Sequence, residues 1–228
     1  MDSSASLEAQ IQKLEEKMKS ANLPSDFLEK INRMIALLSV SFKQGGGSFI
    51  SYEGISNYID WAVTLPFNKE TTDILDLNSA KKTLDKNHYG LDSVKNRILE
   101  YLASIILSLQ NNSEDKVIRA PILCLIGLVG TGKTTLAYSI AEAMGRKFER
   151  IPFGGMGDAR SLRGQSRAFA DAEPGAIIKK LVHAQSRNSV ILLDELDRVT
   201  ESSRADIMGV LVELLDPEQN KGFNDHYV

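Results

Sequence analysis

Gly127-Leu128-Val129-Gly130-Thr131-Gly132-Lys133-Thr134 follows the apolar run Pro121-Ile122-Leu123-Cys124-Leu125-Ile126 and opens a helical pattern that reaches Met144. It matches G-x-x-x-x-G-K-[ST] in full, after a predicted strand and before a predicted helix, which is the context the motif requires. Glycines let the backbone wrap closely around phosphate oxygens. Successive N–H groups and the positive end of the following helix then face the anion. In this reading Lys133 reaches the β- and γ-phosphates of a nucleotide. Thr134 offers its hydroxyl to Mg2+, a cation that keeps several waters and shares its shell with the nucleotide.

Some sixty residues on, Val190-Ile191-Leu192-Leu193-Asp194-Glu195 reads as a buried strand ending in two acids. The tips of such strands are where open α/β sheets bind ligands. Asp194 is the candidate for the Mg2+ shell, and Glu195 for orienting and polarising the water that attacks the γ-phosphate. The adjacent acids favour hydrolysis over simple switching. No Asn-Lys-x-Asp string of the guanine-selecting kind occurs. Small-metabolite kinases share the loop but do not usually carry the acidic pair.

Around these motifs the pattern alternates. Helix is expected at about 133–144, strand at 147–151, helix at 175–185 with Pro174 near its first turn, strand at 190–193 and helix at 204–214. The run 121–126 is expected to be a strand buried on both faces. Upstream the period is helical throughout, at about 52–65, 79–86 and 92–110. Trp61 is a candidate packing anchor. Further back, Leu7, Ile11, Leu14 and Met18 form one apolar stripe and Phe27, Ile31, Met34 and Leu38 another. Pro24 separates them, with Ser25 as a candidate helix cap. Gln44-Gly45-Gly46-Gly47-Ser48 reads as a linker, since three glycines offer no side chain to pack. The expected organisation is a helical hairpin over 1–43, a glycine-rich linker over 44–51, a helical segment over 52–116 and a nucleotide-binding core over 117–228.

Composition narrows the function classes. The chain has 228 residues, 43% of them hydrophobic and 25% charged, as in ordinary globular proteins. With 27 basic against 30 acidic residues the formal charge is −3, and no basic cluster marks a nucleic-acid footprint. The single cysteine, Cys124, excludes an internal disulfide and is expected to be a buried core thiol. No apolar window is long enough for a membrane helix, and the start has neither a basic nor an apolar leader region. This points to the cytosol, or to the mitochondrial matrix or another organelle if a targeting segment has been removed.

Beyond the motif, from about Ile59 to Val228 the chain resembles the ATPase module of Lon-type ATP-dependent proteases. The strings that carry the resemblance include Tyr58-Ile59-Asp60-Trp61, Arg97-Ile98-Leu99-Glu100-Tyr101-Leu102-Ala103, Gly154-Gly155, Arg163-Gly164, Pro174-Gly175, Leu214-Leu215-Asp216-Pro217-Glu218-Gln219-Asn220 and Asp225-His226-Tyr227. The N-terminal helices are similar to the helical segment that precedes that module. The resemblance implies an AAA+ α/β fold, a parallel sheet flanked by helices behind an α-helical N-terminal segment. It implies ATP and Mg2+ as cofactors, with contacts from Gly127, Leu128, Val129, Gly130, Thr131, Gly132, Lys133, Thr134 and Thr135. It places His88 and Tyr89 beside the adenine and puts Phe169 on a pore loop that grips unfolded or damaged protein substrates in a hexameric ring. Two departures stand out. Phe169-Ala170 replaces the usual tyrosine and branched aliphatic, and Leu128-Val129 replaces a Pro-Pro pair, which alters loop stiffness without removing a ligand.

The same resemblance predicts that the Ser–Lys protease dyad, a polar sensor, an arginine finger and a helical lid lie beyond Val228. ATP turnover and peptide cleavage by these residues alone are therefore expected to be weak or absent. A strand placed between the phosphate-loop strand and the Asp194 strand also falls beyond Val228, so the sheet should show a gap with unpaired backbone groups. The competing reading is a nucleotide-binding assembly or chaperone module without proteolysis.

Overall fold

The computed structural model of the chain describes residues 11–19, 21, 23–43, 49–111, 122–169 and 171–228. In chain order the elements are α1 (residues 11–19), α2 (Ser25–Lys43), α3 (Phe49–Thr64), α4 (Leu77–Asn87), α5 (Asp92–Asn111), α6 (Lys133–Met144), β1 (Phe148–Pro152), the single turn α7 (Arg160–Arg163), α8 (Ala176–Ala184), β2 (Val190–Asp194) and α9 (Arg204–Leu215). The chain divides into two compact units. One comprises Met1–Lys69, Arg163–Arg187 and Asn224–Val228, the other Glu70–Leu162 and Asn188–Phe223. Residues 44–48 of the linker expected over 44–51, the start of the first stripe at Leu7 and the boundary at 116–117 lie outside the described residues, while residues 49–51 open α3. Among the described residues no helix is long and apolar enough to cross a membrane.

The helical unit follows from its stripes. Leu14 and Met18 of α1, Ile31 and Ile35 of α2, and Tyr58 and Ile59 of α3 are all buried in one cluster, because a spacing of three or four residues puts them on single faces. Burial of each such aliphatic side chain contributes about 1.5–3 kcal/mol. Trp61 packs against this cluster as expected. Ser25 lies within α2 rather than before it, and its hydroxyl donates to Asp26 Oδ1 at 3.1 Å. The segment 163–187 is tied into this unit by the last residues of the chain. Asp225 Oδ2 accepts from Gly175 N at 2.7 Å, Asp225 Oδ1 from Tyr227 N at 2.8 Å, and His226 N donates to Arg163 O at 2.9 Å.

Gly164 makes this clasp possible. Its φ is +80°, and a Cβ there would stand 2.6 Å from Asp225 Oδ1 and 2.9 Å from Gly175 N. Gly164→Ala should therefore destabilise the unit by at least about 2 kcal/mol, since the left-handed conformation alone costs an alanine about 1–2 kcal/mol. Calorimetry should show Tm falling by about 4–8 °C. A Tm within about a degree of the parent would mean that Asp225 does not hold this loop.

In the second unit α4, α5 and α6 share a core that includes Leu84, Ile98, Leu102, Leu136 and Ile140. Lys95 of α5 is buried and donates to Asp85 Oδ1 of α4 at 2.8 Å. That bond holds the Asp85 carboxyl below its usual range. The segment before α4 is sewn to the end of α6: Arg146 grips Asp73 through Nε at 2.8 Å and Nη2 at 2.5 Å, and Ile74 N donates to Met144 O at 2.9 Å. Asn188 adds a second tie, accepting from Thr71 N and donating to Thr71 O. β1 and β2 pair in parallel, with Phe148 opposite Val190 and Pro152 opposite Asp194.

The run after Pro121 departs from expectation. Residues 122–127 form no strand, and only one face is covered: Leu123 and Leu125 pack against the α4–α6 core while Ile122, Cys124 and Ile126 are exposed. Cys124 is thus not the buried thiol that its apolar neighbours suggested. The physical reason lies in strand partners. A strand of a parallel sheet is covered on both faces and along its edges only when neighbours supply backbone partners, and among the described residues β1 and β2 pair with each other alone.

Candidate nucleotide-binding site

The phosphate-loop motif stands directly on the start of α6. Gly132, the residue before the helix, has φ 84° and ψ 20°, a left-handed conformation that glycine adopts without steric cost. No side chain caps this helix start, so the first-turn N–H groups are left for an anion. The loop is drawn in on itself. Lys133 Nζ donates to Gly127 O and Leu128 O, both at 2.8 Å, and Thr131 Oγ1 donates to Leu128 O at 2.8 Å. Thr135 Oγ1 donates back to Gly132 O at 2.8 Å, bracing the first turn.

Asp194 and Thr134 meet although they are sixty residues apart. Thr134 Oγ1 lies 3.3 Å from Asp194 Oδ2, which also accepts from Arg150 Nε of β1 at 2.7 Å. The backbone oxygen of Asp194 accepts from Phe153 N at 2.8 Å, continuing the β1–β2 ladder by one bond. Two neighbouring oxygen donors suit a hard divalent cation that takes its other ligands from phosphate and water. Among the described residues no group of three or more His, Cys, Asp or Glu side chains could hold a metal ion.

Glu195 has φ 60° and ψ 40°, a left-handed conformation uncommon for a residue with a side chain. The turn is held by Arg198 N donating to Glu195 O at 2.9 Å, and Arg198 Nη1 approaches Glu195 Oε1 at 3.3 Å. The Glu195 carboxylate lies against Gly154, in the space a Cβ there would need.

The remaining candidates are placed as follows. His88 ends α4, with Nε2 2.9 Å from Ser139 Oγ of α6, while Tyr89 is fully exposed. Phe169 belongs to the helical unit and is exposed. Sequence reasoning gave Arg150 no role and named Gly154 only within a string that carries the resemblance, without a role at the site. The first could have been flagged as a charge in the middle of a short strand. For the second, the Gly154-Gly155 string marks a position without saying what lies over it, because its neighbour Glu195 comes from a distant turn.

Residues 123–227 match the model of the ATPase family associated with various cellular activities (AAA). The chain is 44% identical over 219 residues to the Lon protease of Elusimicrobium minutum, covering 96% of this chain and 25% of that protein. It is 43% identical over 223 residues to Lon protease 1 of Bacillus subtilis, covering 96% and 27%. Against the Lon protease of Clostridioides difficile it is 43% identical over 213 residues, covering 93% and 26%. The chain spans about a quarter of the length of the curated relatives it matches. Along nearly all of its length the chain is thus similar to part of the Lon proteases, and its phosphate loop and paired acids lie within the residues that match the AAA family model.

Proposed function

We propose that this chain binds ATP with Mg2+ at the loop Gly127–Thr135. In the complete protein, ATP hydrolysis at this site would drive the unfolding and translocation of damaged or unfolded polypeptides toward degradation. The observation that carries the reading is the convergence of Thr134 Oγ1 and Asp194 Oδ2 at 3.3 Å beside an uncapped helix start. The α6 amides and Lys133 hold the β- and γ-phosphates; Thr134 and Asp194 hold the metal, which supplies neutralisation of phosphate charge when bound. Glu195 orients the attacking water and accepts its proton. His88, fixed by Ser139, sets the turn from which the Tyr89 ring offers a face to the adenine. Phe169 is the apolar contact to substrate, and self-association into a hexameric ring, as the resemblance implies, brings several such rings to one polypeptide. We place this activity in the cytosol.

A fluorescent ATP analogue titrated with and without Mg2+ tests the site. Saturable binding should tighten about 10-fold or more with Mg2+, because a cation shared between Thr134, Asp194 and the phosphates neutralises their charge. Asp194→Asn should remove most of that increment while leaving Mg2+-free binding intact. Equal Mg2+ dependence in parent and variant would rule out Asp194 as a metal ligand.

A further inference from the structure

Arg167 stands two residues before Phe169 and points the other way. Its guanidinium carbon lies 4.2 Å from the ring centroid of Tyr58, which is wholly buried in the core of the helical unit, and its Nη1 lies 3.4 Å from Met34 Sδ. Lys30 approaches the same ring at 5.1 Å while donating to Val228 O at 2.7 Å. Burial, and then the neighbouring Arg167 charge, push the Lys30 ammonium below its ordinary pKa. Two like charges close to one ring repel each other, so each needs its own hold. Lys30 has the carbonyl, and Arg167 has the face of the aromatic ring, on which a planar, weakly hydrated guanidinium stacks better than an ammonium.

The chain beyond Arg167 is a closed turn. Phe169 N donates to Ser166 O at 3.1 Å, Ala172 N to Phe169 O at 3.3 Å, and Gln165 N to Glu173 O at 3.1 Å. Ala172 packs against the cluster that contains Tyr58, and Glu173 pairs with Lys179. Inward contacts thus flank Phe169 on both sides, while its own ring remains 61% exposed. An unanchored loop could bury such a ring in its own fold, since apolar surface is driven out of water.

We propose that Arg167, seated on the buried ring of Tyr58, is the positioning residue that holds the Phe169 ring outward for contact with an extended polypeptide. This rests on the reading of Phe169 as the substrate-contacting side chain. The turn supplies the hydrogen bonds that shape it, and Arg167 supplies the tie that fixes its direction. Arg167→Gln keeps a planar polar group on a shorter stem but loses the cation; Arg167→Lys keeps the cation and loses the planar fork.

Hydrogen exchange read by mass spectrometry over residues 164–173, together with binding of fluorescein-labelled casein, tests this in the parent chain, Arg167→Gln, Arg167→Lys and Phe169→Ala. In Arg167→Gln the segment should exchange about 10-fold faster or more, with α2 and α3 unchanged and nucleotide affinity unaltered. Casein binding should weaken as much as in Phe169→Ala, with Arg167→Lys between. Unchanged protection in Arg167→Gln overturns the proposal, as does faster exchange spread through α2 and α3, which would make Arg167 a general support of the core. Faster local exchange with parent-like casein binding, where Phe169→Ala binds poorly, also overturns it. If Phe169→Ala binds casein as the parent does, the reading of Phe169 fails, and exchange alone then judges the anchor.

Discussion

Lys133→Ala is expected to lower affinity for the Mg2+ complex of ATP by about 10²- to 10³-fold. An ammonium that bonds two phosphate groups makes charge-assisted contacts of about 1.5–3 kcal/mol each, and about 1.4 kcal/mol corresponds to one factor of ten. The structure explains why this loss should be confined to binding. Lys133 is half-buried, and its Nζ is held by the carbonyls of Gly127 and Leu128 at 2.8 Å, contacts that shape the loop but bury no apolar surface. Tm should therefore stay within about 2 °C of the parent. Titration of the fluorescent analogue, run beside a thermal scan, checks both halves. An affinity within about 3-fold of the parent would show that the nucleotide does not use this lysine, and would remove the phosphate-binding reading of the loop.

The second large effect is on stability. Phe153 follows β1, is wholly buried, and donates its N–H to the Asp194 carbonyl at 2.8 Å. Phe153→Ala should cost about 3–5 kcal/mol, the usual range for emptying an aromatic site in a core, against a total stability of about 5–15 kcal/mol for a domain. Urea unfolding should show the midpoint falling with little change in slope. Because Phe153 bonds the Asp194 carbonyl through its N–H and directly precedes Gly154, nucleotide affinity should fall at temperatures where the variant is still folded. Phe153→Leu, which keeps most of the volume, should recover more than half of the stability. A near-neutral Phe153→Ala would mean that the end of β1 does not depend on this side chain.

Much of this was legible along the chain. The period of apolar residues located α6 to the residue, and β1, α8, β2 and α9 to within a residue or so, because each carries its own hydrophobic face. The phosphate loop was legible because its chemistry is local. Eight consecutive residues contain the glycines, the cation and the hydroxyl, and the following helix supplies the amides. The run 122–127 was misread for the opposite reason. Its apolar residues say that it can be buried on two faces, but whether a strand forms depends on neighbours that no local pattern names.

The paired acids at the tip of β2 and the basic and hydroxyl residues of the loop follow from residue type and spacing alone, since the strand–loop–helix context determines where they stand. Their meeting does not. That Thr134 lies 3.3 Å from Asp194, that Arg150 rather than a closer basic residue neutralises that carboxylate, and that Glu195 turns in a left-handed conformation over Gly154 all depend on the register of two strands forty residues apart. The same holds for Arg167 on Tyr58, which brings together residues 109 positions apart. Local elements are set by nearest-neighbour sterics and periodicity, whereas which side chains face one another is set by packing whole elements together, and that is a property of the fold rather than of any stretch of sequence.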